Sequence, residues 1–296
     1  MEVILLALAV TLVLAIILFL NWTRPKVCIV SLVKDPHQFQ TWIDHHNTID
    51  KFYIFLDDDS EELDAWDPRL ILVRNWKDRL GFKLDPGKDD PANVREKQRL
   101  AFEEGQRMAE ADGIKYIIHI DSDELLSGGP PAEVFSMYPD AHVFHMQNEE
   151  LAPDRMDYHN CFKEGRKFHE NPERFTAYGN GKGAGVVGLS AWHGPHFLKG
   201  SISQDIPPEE LRVLHYPSCN IQETIKRAKQ YGNFKDNSAG WSAHHKETRD
   251  VLLNCDQNCE DLAHEQFKKR MAGPNAKNLC NVRTRILGPP KDPIPK

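Results

Sequence analysis

The chain has 296 residues, 40% hydrophobic and 27% charged, with 37 Lys and Arg against 44 Asp and Glu for a net charge of −7. That acidic balance excludes a general nucleic-acid binder, whose phosphate contacts need a basic surface. The apolar and charged fractions also exclude a disordered or fibrous chain and a multi-pass membrane protein.

Residues 3–20 are apolar throughout except for Thr11. As a helix rising about 1.5 Å per residue, this run spans roughly 27 Å, close to a hydrocarbon core of about 30 Å. It ends in Leu18-Phe19-Leu20-Asn21-Trp22, with no small-x-small cleavage site, and the indole suits a membrane interface. Residues 1–26 are therefore expected to be a short tail and a single transmembrane anchor, with the lipid bilayer as partner through residues 3–20. Arg24 and Lys26 follow the run, and by charge alone they favour a cytosolic C-terminal side. The sequon Asn21-Trp22-Thr23 points the other way, but lies close to the membrane.

Beyond the anchor, Val27–Val33 is rich in β-branched residues and predicts a buried strand. Phe39–Thr48 carries Phe39, Trp42, Ile43 and His46 at helical spacing. Phe52–Leu56 predicts a second strand ending in Asp57-Asp58-Asp59-Ser60, and Leu70–Val73 a third. Asn93–Asp112 predicts a long helix opened by a capping box of Asn93 and Glu96, with a stripe of Val94, Ala101, Phe102, Gly105, Met108 and Ala109. Tyr116–Ile120 predicts a strand that runs into Asp121-Ser122-Asp123-Glu124. Alternating strands and helices predict an α/β fold with a mostly parallel sheet. Both acidic clusters then fall just after strand C-termini, the edge where open α/β sheets bind ligands.

The second half is less regular. Ala141–Met146 predicts a strand, residues 150–212 predict long ordered loops, Val213–His215 a strand fragment, and Ile221–Tyr231 and Leu262–Met271 helices. Residues 27–287 read as one domain and 288–296 as a flexible tail. Of the six cysteines, Cys28 reads as a buried thiol and Cys255 with Cys259 as a possible local pair. Disulfides and free thiols both remain open for Cys161, Cys219 and Cys280.

Asp121 and Asp123, spaced i, i+2 after a hydrophobic strand, can turn two carboxylates toward one hard cation such as Mg²⁺ or Mn²⁺; the bland alternative is an acidic turn. Asp57 and Asp59 can accept hydrogen bonds from a base or ribose, or can cap a local turn. Arg95 and Lys97, early on the long helix, can offer charge to a diphosphate, or can line a solvated face. Gly179–Gly185 lacks the P-loop spacing, leaving either a mobile loop that presents Lys182 to a phosphate or a plain flexible loop. Among the histidines, those of His193-Gly194-Pro195-His196 and His215 are candidate ligands or acid/base groups, whereas His119 reads as structural.

The segment Val30-Ser31-Leu32-Val33-Lys34-Asp35, followed by Trp42-Ile43-Asp44-His45-His46, resembles the opening of family-2-like glycosyltransferases. Phe52–Ser60 resembles their second strand. Ile120–Leu125 resembles the metal-binding Asp-x-Asp of the same group, including the relatives assigned to family 92, and His215-Tyr216-Pro217-Ser218 resembles a His-Tyr segment late in their catalytic domains. The likeness covers roughly residues 27–232. It implies a GT-A type nucleotide-diphospho-sugar transferase fold, with a mostly parallel mixed central sheet flanked by helices. It also implies a nucleotide-sugar donor, most simply a UDP-sugar, and Mn²⁺ or Mg²⁺. Asp121 and Asp123 would then bridge metal and diphosphate, His215 would complete the metal site, and Asp57 and Asp59 would lie beside base and ribose.

The expected reaction moves a sugar, as a hexosyltransferase would, to a hydroxyl of a glycan or glycoconjugate. If configuration inverts, a carboxylate must deprotonate that hydroxyl, and Asp205 and Glu149 are the candidates. The alternatives are a metal-dependent phosphoester or nucleotide-sugar hydrolase and a non-catalytic, membrane-anchored carbohydrate-binding protein. The resemblance implies a Golgi or endoplasmic reticulum protein with a lumenal catalytic domain, against the cytosolic side that the flanking charges favour.

Overall fold

The computed structural model describes residues 11, 24–36, 38–59, 62–84, 90–169, 171, 175, 177–217, 219–230, 243–253, 255, 259–272 and 284–286. Apart from Thr11, the expected anchor at residues 3–20 lies outside these, as do residues 288–296. Among the described residues no helix is long and apolar enough to cross a membrane.

The first half lays down β1 (Val27–Val33), α1 (Phe39–His45), β2 (Lys51–Leu56), β3 (Leu70–Val73), the short α2 (Trp76–Arg79), α3 (Asp90–Ala111) and β4 (Tyr116–His119). There follow β5 (Glu124–Gly128), α4 (Pro131–Ser136), β6 (Val143–Met146), β7 (Asn148–Leu151), α5 (Cys161–Glu164), β8 (Lys167–His169) and β9 (Lys182–Val186). The rest comprises β10 (Ala191–Trp192), β11 (Leu198–Lys199), β12 (Ser203–Ile206), β13 (Leu211–His215), α6 (Ile221–Gln230), α7 (Ala243–Leu253), α8 (Cys259–Ala272) and β14 (Thr284–Ile286).

The main sheet has seven strands in the order β12-β6-β9-β4-β1-β2-β3. Every neighbouring pair is parallel except the two that involve β9, which runs against β4 and β6. The α/β fold with a large, mostly parallel mixed sheet is therefore as expected. Its central strands β1, β2 and β4 are mostly apolar, with Ser31 and His119 as buried exceptions, because both faces are covered. Val27, Ile29, Phe52, Ile54, Tyr116 and Ile118 pack with Trp42 and Ile43 of α1 on one face. Cys28, Val30, Tyr53, Phe55 and Ile117 pack with Ala101 and Phe102 of α3 on the other. Gly105 belongs to that contact, since a Cβ there would meet Val30 Cγ2 at 2.6 Å. Helix α3 starts at Asp90, so Asn93 is a buried residue within it and not its cap.

A second sheet has the order β14-β8-β7-β13-β5; β8 comes from the region expected to be loops, and β13 contains the expected fragment Val213–His215. It pairs β5 antiparallel to β13, and β13 parallel to β7. Helices α6, α7 and α8 share a small core of Ile221, Ile225, Ala228, Leu252 and Ala263. Cys161 and Cys219 form a disulfide that ties α5 to the segment before α6, and Cys255 and Cys259 form a second. Cys28 is a buried free thiol, and Cys280 lies outside the described residues.

Candidate active site

The order β4-β1-β2 brings the two acidic clusters to one edge of the main sheet, with β1 between them. At the end of β2, Asp57 meets Lys97 Nζ at 2.8 Å and Lys77 Nζ at 3.1 Å. Burial would raise the Asp57 carboxyl, but the two ammonium groups outweigh it and hold it below the usual carboxylate range. Lys97 is thus committed to Asp57, and joins α3 to the sheet edge. Asp59 Oδ1 accepts the Asn75 backbone N–H at 2.6 Å, so this carboxylate braces a turn. Arg95 is exposed on α3, while Arg99 pairs with Glu96 and Glu103 along the same helix.

At the end of β4, four elements converge. The turn carries Asp121 and Asp123, and Glu124 opens β5. Strand β13 ends at His215, whose register partners are Glu124 on β5 and Glu150 on β7. The His215 ring lies 3.6 Å (Nε2) from Asp123 Oδ2 and 3.7 Å (Nδ1) from Glu150 Oε2. Helix α6 adds Arg227, which donates to Asp123 Oδ2 at 2.7 Å. Burial opposes the charged forms of both Asp123 and His215, yet each is overridden. Arg227 and then His215 hold Asp123 well below its ordinary range, and Asp123 and Glu150 lift His215 to about 9.

Glu124 is fully buried. Its Oε2 accepts the Asp121 backbone N–H at 2.8 Å, and its Oε1 accepts the Tyr178 hydroxyl and lies 3.2 Å from Lys182 Nζ. Burial is the chief reason that this carboxyl is pushed up to about 7; Lys182 works against that rise and Asp121 adds to it. The side chains of Asp121 and Asp123 stay partly open, at 33% and 17% exposure.

Lys182 corrects an expectation. It is neither in a loop nor exposed: it opens β9 inside the main sheet, is wholly buried, and pairs with Asp121 as well as Glu124. The surrounding glycines serve close packing. Gly181 has φ +67°, and a Cβ there would meet Met146 O at 2.1 Å; a Cβ on Gly183 would meet Leu198 N at 2.9 Å. Gly181 N–H donates to Asn148 Oδ1 at 2.9 Å, and its carbonyl lies 3.1 Å from His196 Nδ1. His196 in turn packs at a tilt against Tyr178, with ring centroids 4.4 Å apart. His119 is structural as expected, bonded through Nδ1 to Val30 O at 3.2 Å and held between Phe102 and Trp192.

The two expected base candidates do not join this cluster. Glu149 is buried and takes Arg212 Nη1 at 2.9 Å, a buried ion pair on the neighbouring strand. Asp205, 84% exposed on the edge strand β12, pairs with His145 at 3.2 Å. Sequence reasoning named Glu124 only as the close of the acidic cluster, without a role of its own, and did not single out Glu150, Tyr178 or Arg227. The signal for Glu124 was its position directly after Asp123, and for Arg227 the basic helix after His215-Tyr216.

A divalent ion finds suitable donors here. One oxygen each of Asp123 and Glu124 and one nitrogen of His215 lie within 4.8 Å of one another, a mixed set of carboxylates and imidazole. Asp121, expected in that set, faces Lys182 instead.

No family profile matches the chain. Over 169 residues, 46% of this chain, it is 27% identical to a glycosyltransferase-like protein of Arabidopsis thaliana, and the match spans about a third (32%) of that relative. Among solved structures it is similar to S. aureus TarS residues 1–349 in complex with UDP-GlcNAc, at 8% identity, 86% and 76% coverage of the two chains, and a TM-score of 0.36. It is also similar to GalNAc-T7 with UDP, GalNAc and Mn²⁺, at 10% identity, 88% and 58% coverage, and a TM-score of 0.35.

Proposed function

We propose that the chain is a glycosyltransferase of GT-A type that moves a sugar from a nucleotide-sugar donor to a hydroxyl of a glycan or glycoconjugate. The observation that carries this reading is the joining of Asp121, Asp123, Glu124, His215 and Arg227 at the sheet edge that also holds Asp57. The glycosyltransferase-like relative supports the same class.

In this reading the two partly open carboxylates face the donor. Arg227 orients Asp123 through a charge-assisted hydrogen bond and, with His215, keeps it anionic. Lys97 and Lys77 do the same for Asp57, the group closest to a base or ribose. Asp123, Glu124 and His215 would hold Mn²⁺ or Mg²⁺. Such an ion, when bound, offsets charge developing on the diphosphate leaving group. With Glu149 tied to Arg212 and Asp205 out on the edge strand, neither acts as base here. The run 3–20 is read as a bilayer anchor, with the catalytic domain in the Golgi or endoplasmic reticulum lumen close to the membrane.

The test is a screen of UDP-, GDP- and CMP-sugars with Mn²⁺, with and without glycan acceptors. Acceptor-dependent release of a nucleoside diphosphate supports transfer. Release that ignores the acceptor marks a hydrolase, and absence of release or donor binding marks a non-catalytic protein.

A further inference from the structure

The geometry points to Lys182 as a resident counter-ion that competes with a divalent cation for the carboxylates of this cluster, rather than as a ligand of donor phosphate. Its ammonium has no exposed surface. Its partners are both acidic, Asp121 and Glu124. Glu124 also belongs to the trio that can hold a metal, so one carboxylate serves both cations.

Lys182 is held by its neighbours on several elements. Its Nζ lies 5.4 Å from the centroid of the Tyr178 ring, and that ring is itself bonded to Glu124 through its hydroxyl. The preceding Gly181 is held by Asn148 and His196, and the glycines at 181 and 183 leave no space for a bulkier backbone. A side chain anchored in this way cannot swing out to meet a substrate.

The charges make the competition specific. Asp121, Asp123, Glu124 and Glu150 are faced by Lys182, Arg227 and His215. Removing Lys182 strips Asp121, the more open of its two partners, of its counter-charge, and the Coulomb attraction of the pocket for a dication rises accordingly. A phosphate ligand would behave in the opposite way: its loss would weaken donor binding and leave the metal untouched.

This inference rests on the site assigned above, and its readout is metal binding without donor, so loss of transferase activity and failure of the counter-ion are separate outcomes. Mn²⁺ is titrated into the full chain and free ion is followed by electron paramagnetic resonance. Lys182→Met is expected to bind Mn²⁺ on the order of tenfold more tightly than the wild type, and Lys182→Arg, which keeps the charge, within about threefold of it. Comparing Glu124→Gln with the double variant Lys182→Met/Glu124→Gln repeats the test with the pair removed together, should the single Lys182→Met variant not fold. The double variant is expected to bind more tightly than Glu124→Gln. Equal affinities within each comparison, in chains whose circular dichroism matches the wild type, would overturn the proposal.

Discussion

The indole Nε1–H of Trp42 donates to the carbonyl oxygen of Glu124 at 2.7 Å. Helix α1 is thereby fastened to the first residue of β5, immediately after the acidic turn. The two histidines that follow extend the clamp to Leu126. Its N–H donates to His46 Nε2 at 3.1 Å, and its carbonyl lies 2.7 Å from His45 Nε2. The sequence pattern Trp42 to His46 therefore acts on the site at a distance, by fixing the strand on which Glu124 sits.

Replacing Trp42 by Phe removes this donor and part of a fully buried ring that stacks on Phe39 at 5.1 Å. A cavity together with a deprived buried carbonyl is expected to cost about 2–4 kcal/mol. Urea unfolding monitored by circular dichroism measures it, and a loss below about 0.5 kcal/mol would show that the clamp is idle.

His46 gives the fold a defined pH response. Its Nδ1 lies 2.8 Å from the Trp42 carbonyl while Nε2 accepts from Leu126, which requires the neutral ring. Burial, and next the charge of His45, hold its pKa well below the ordinary 6.5. The unfolded chain therefore takes up a proton that the folded chain refuses, and stability falls as pH drops below about 6.5, by up to about 1.4 kcal/mol per pH unit for this one group. His46→Gln is expected to be less stable at pH 7.5 and to show a shallower loss between pH 6.5 and 5 in urea melts. An unchanged slope would remove His46 from this role.

Glu149 and Asp205 separate on the basis of their surroundings. Glu149→Gln strips a buried arginine of its counter-charge, a change expected to cost about 3–5 kcal/mol. Turnover per folded molecule should stay within about threefold of the wild type. Asp205→Asn, at an exposed edge, is expected to shift stability by under about 0.5 kcal/mol and turnover little. A drop of about a hundredfold in kcat for either, at wild-type stability, would restore it as a base.

The first half of the fold was legible because its central strands β1, β2 and β4 are buried on both faces. Val27–Val33 and Phe52–Leu56 have no polar face to break the apolar run, and the aspartates after β2 and β4 mark the sheet edge that carries the candidate site. The second half hid its strands. Lys182–Val186 reads as a flexible loop because glycines replace the side chains that would show a two-residue period, yet a Cβ at Gly183 or Gly185 would meet Leu198 or Ser190, so those glycines let the segment after β9 pack closely on the strand. Strand β7, Asn148–Leu151, begins with three polar residues that are all buried, each serving as a partner in pairings with residues far along the chain. Such pairings as Glu150 with His215, or Asp123 with Arg227, depend on topology and leave no local trace.

The central claim is that the carboxylates after β4 hold and turn over a nucleotide-sugar donor, and Asp123→Ala tests it most directly. Donor cleavage and donor binding with Mn²⁺ are measured in the wild type and in Asp123→Ala, each with and without EDTA. Turnover in the variant is expected to fall by about a hundredfold or more, with metal-dependent donor binding lost and the fold unchanged by circular dichroism. Full activity in Asp123→Ala, or wild-type turnover that persists undiminished in EDTA, would contradict the assignment.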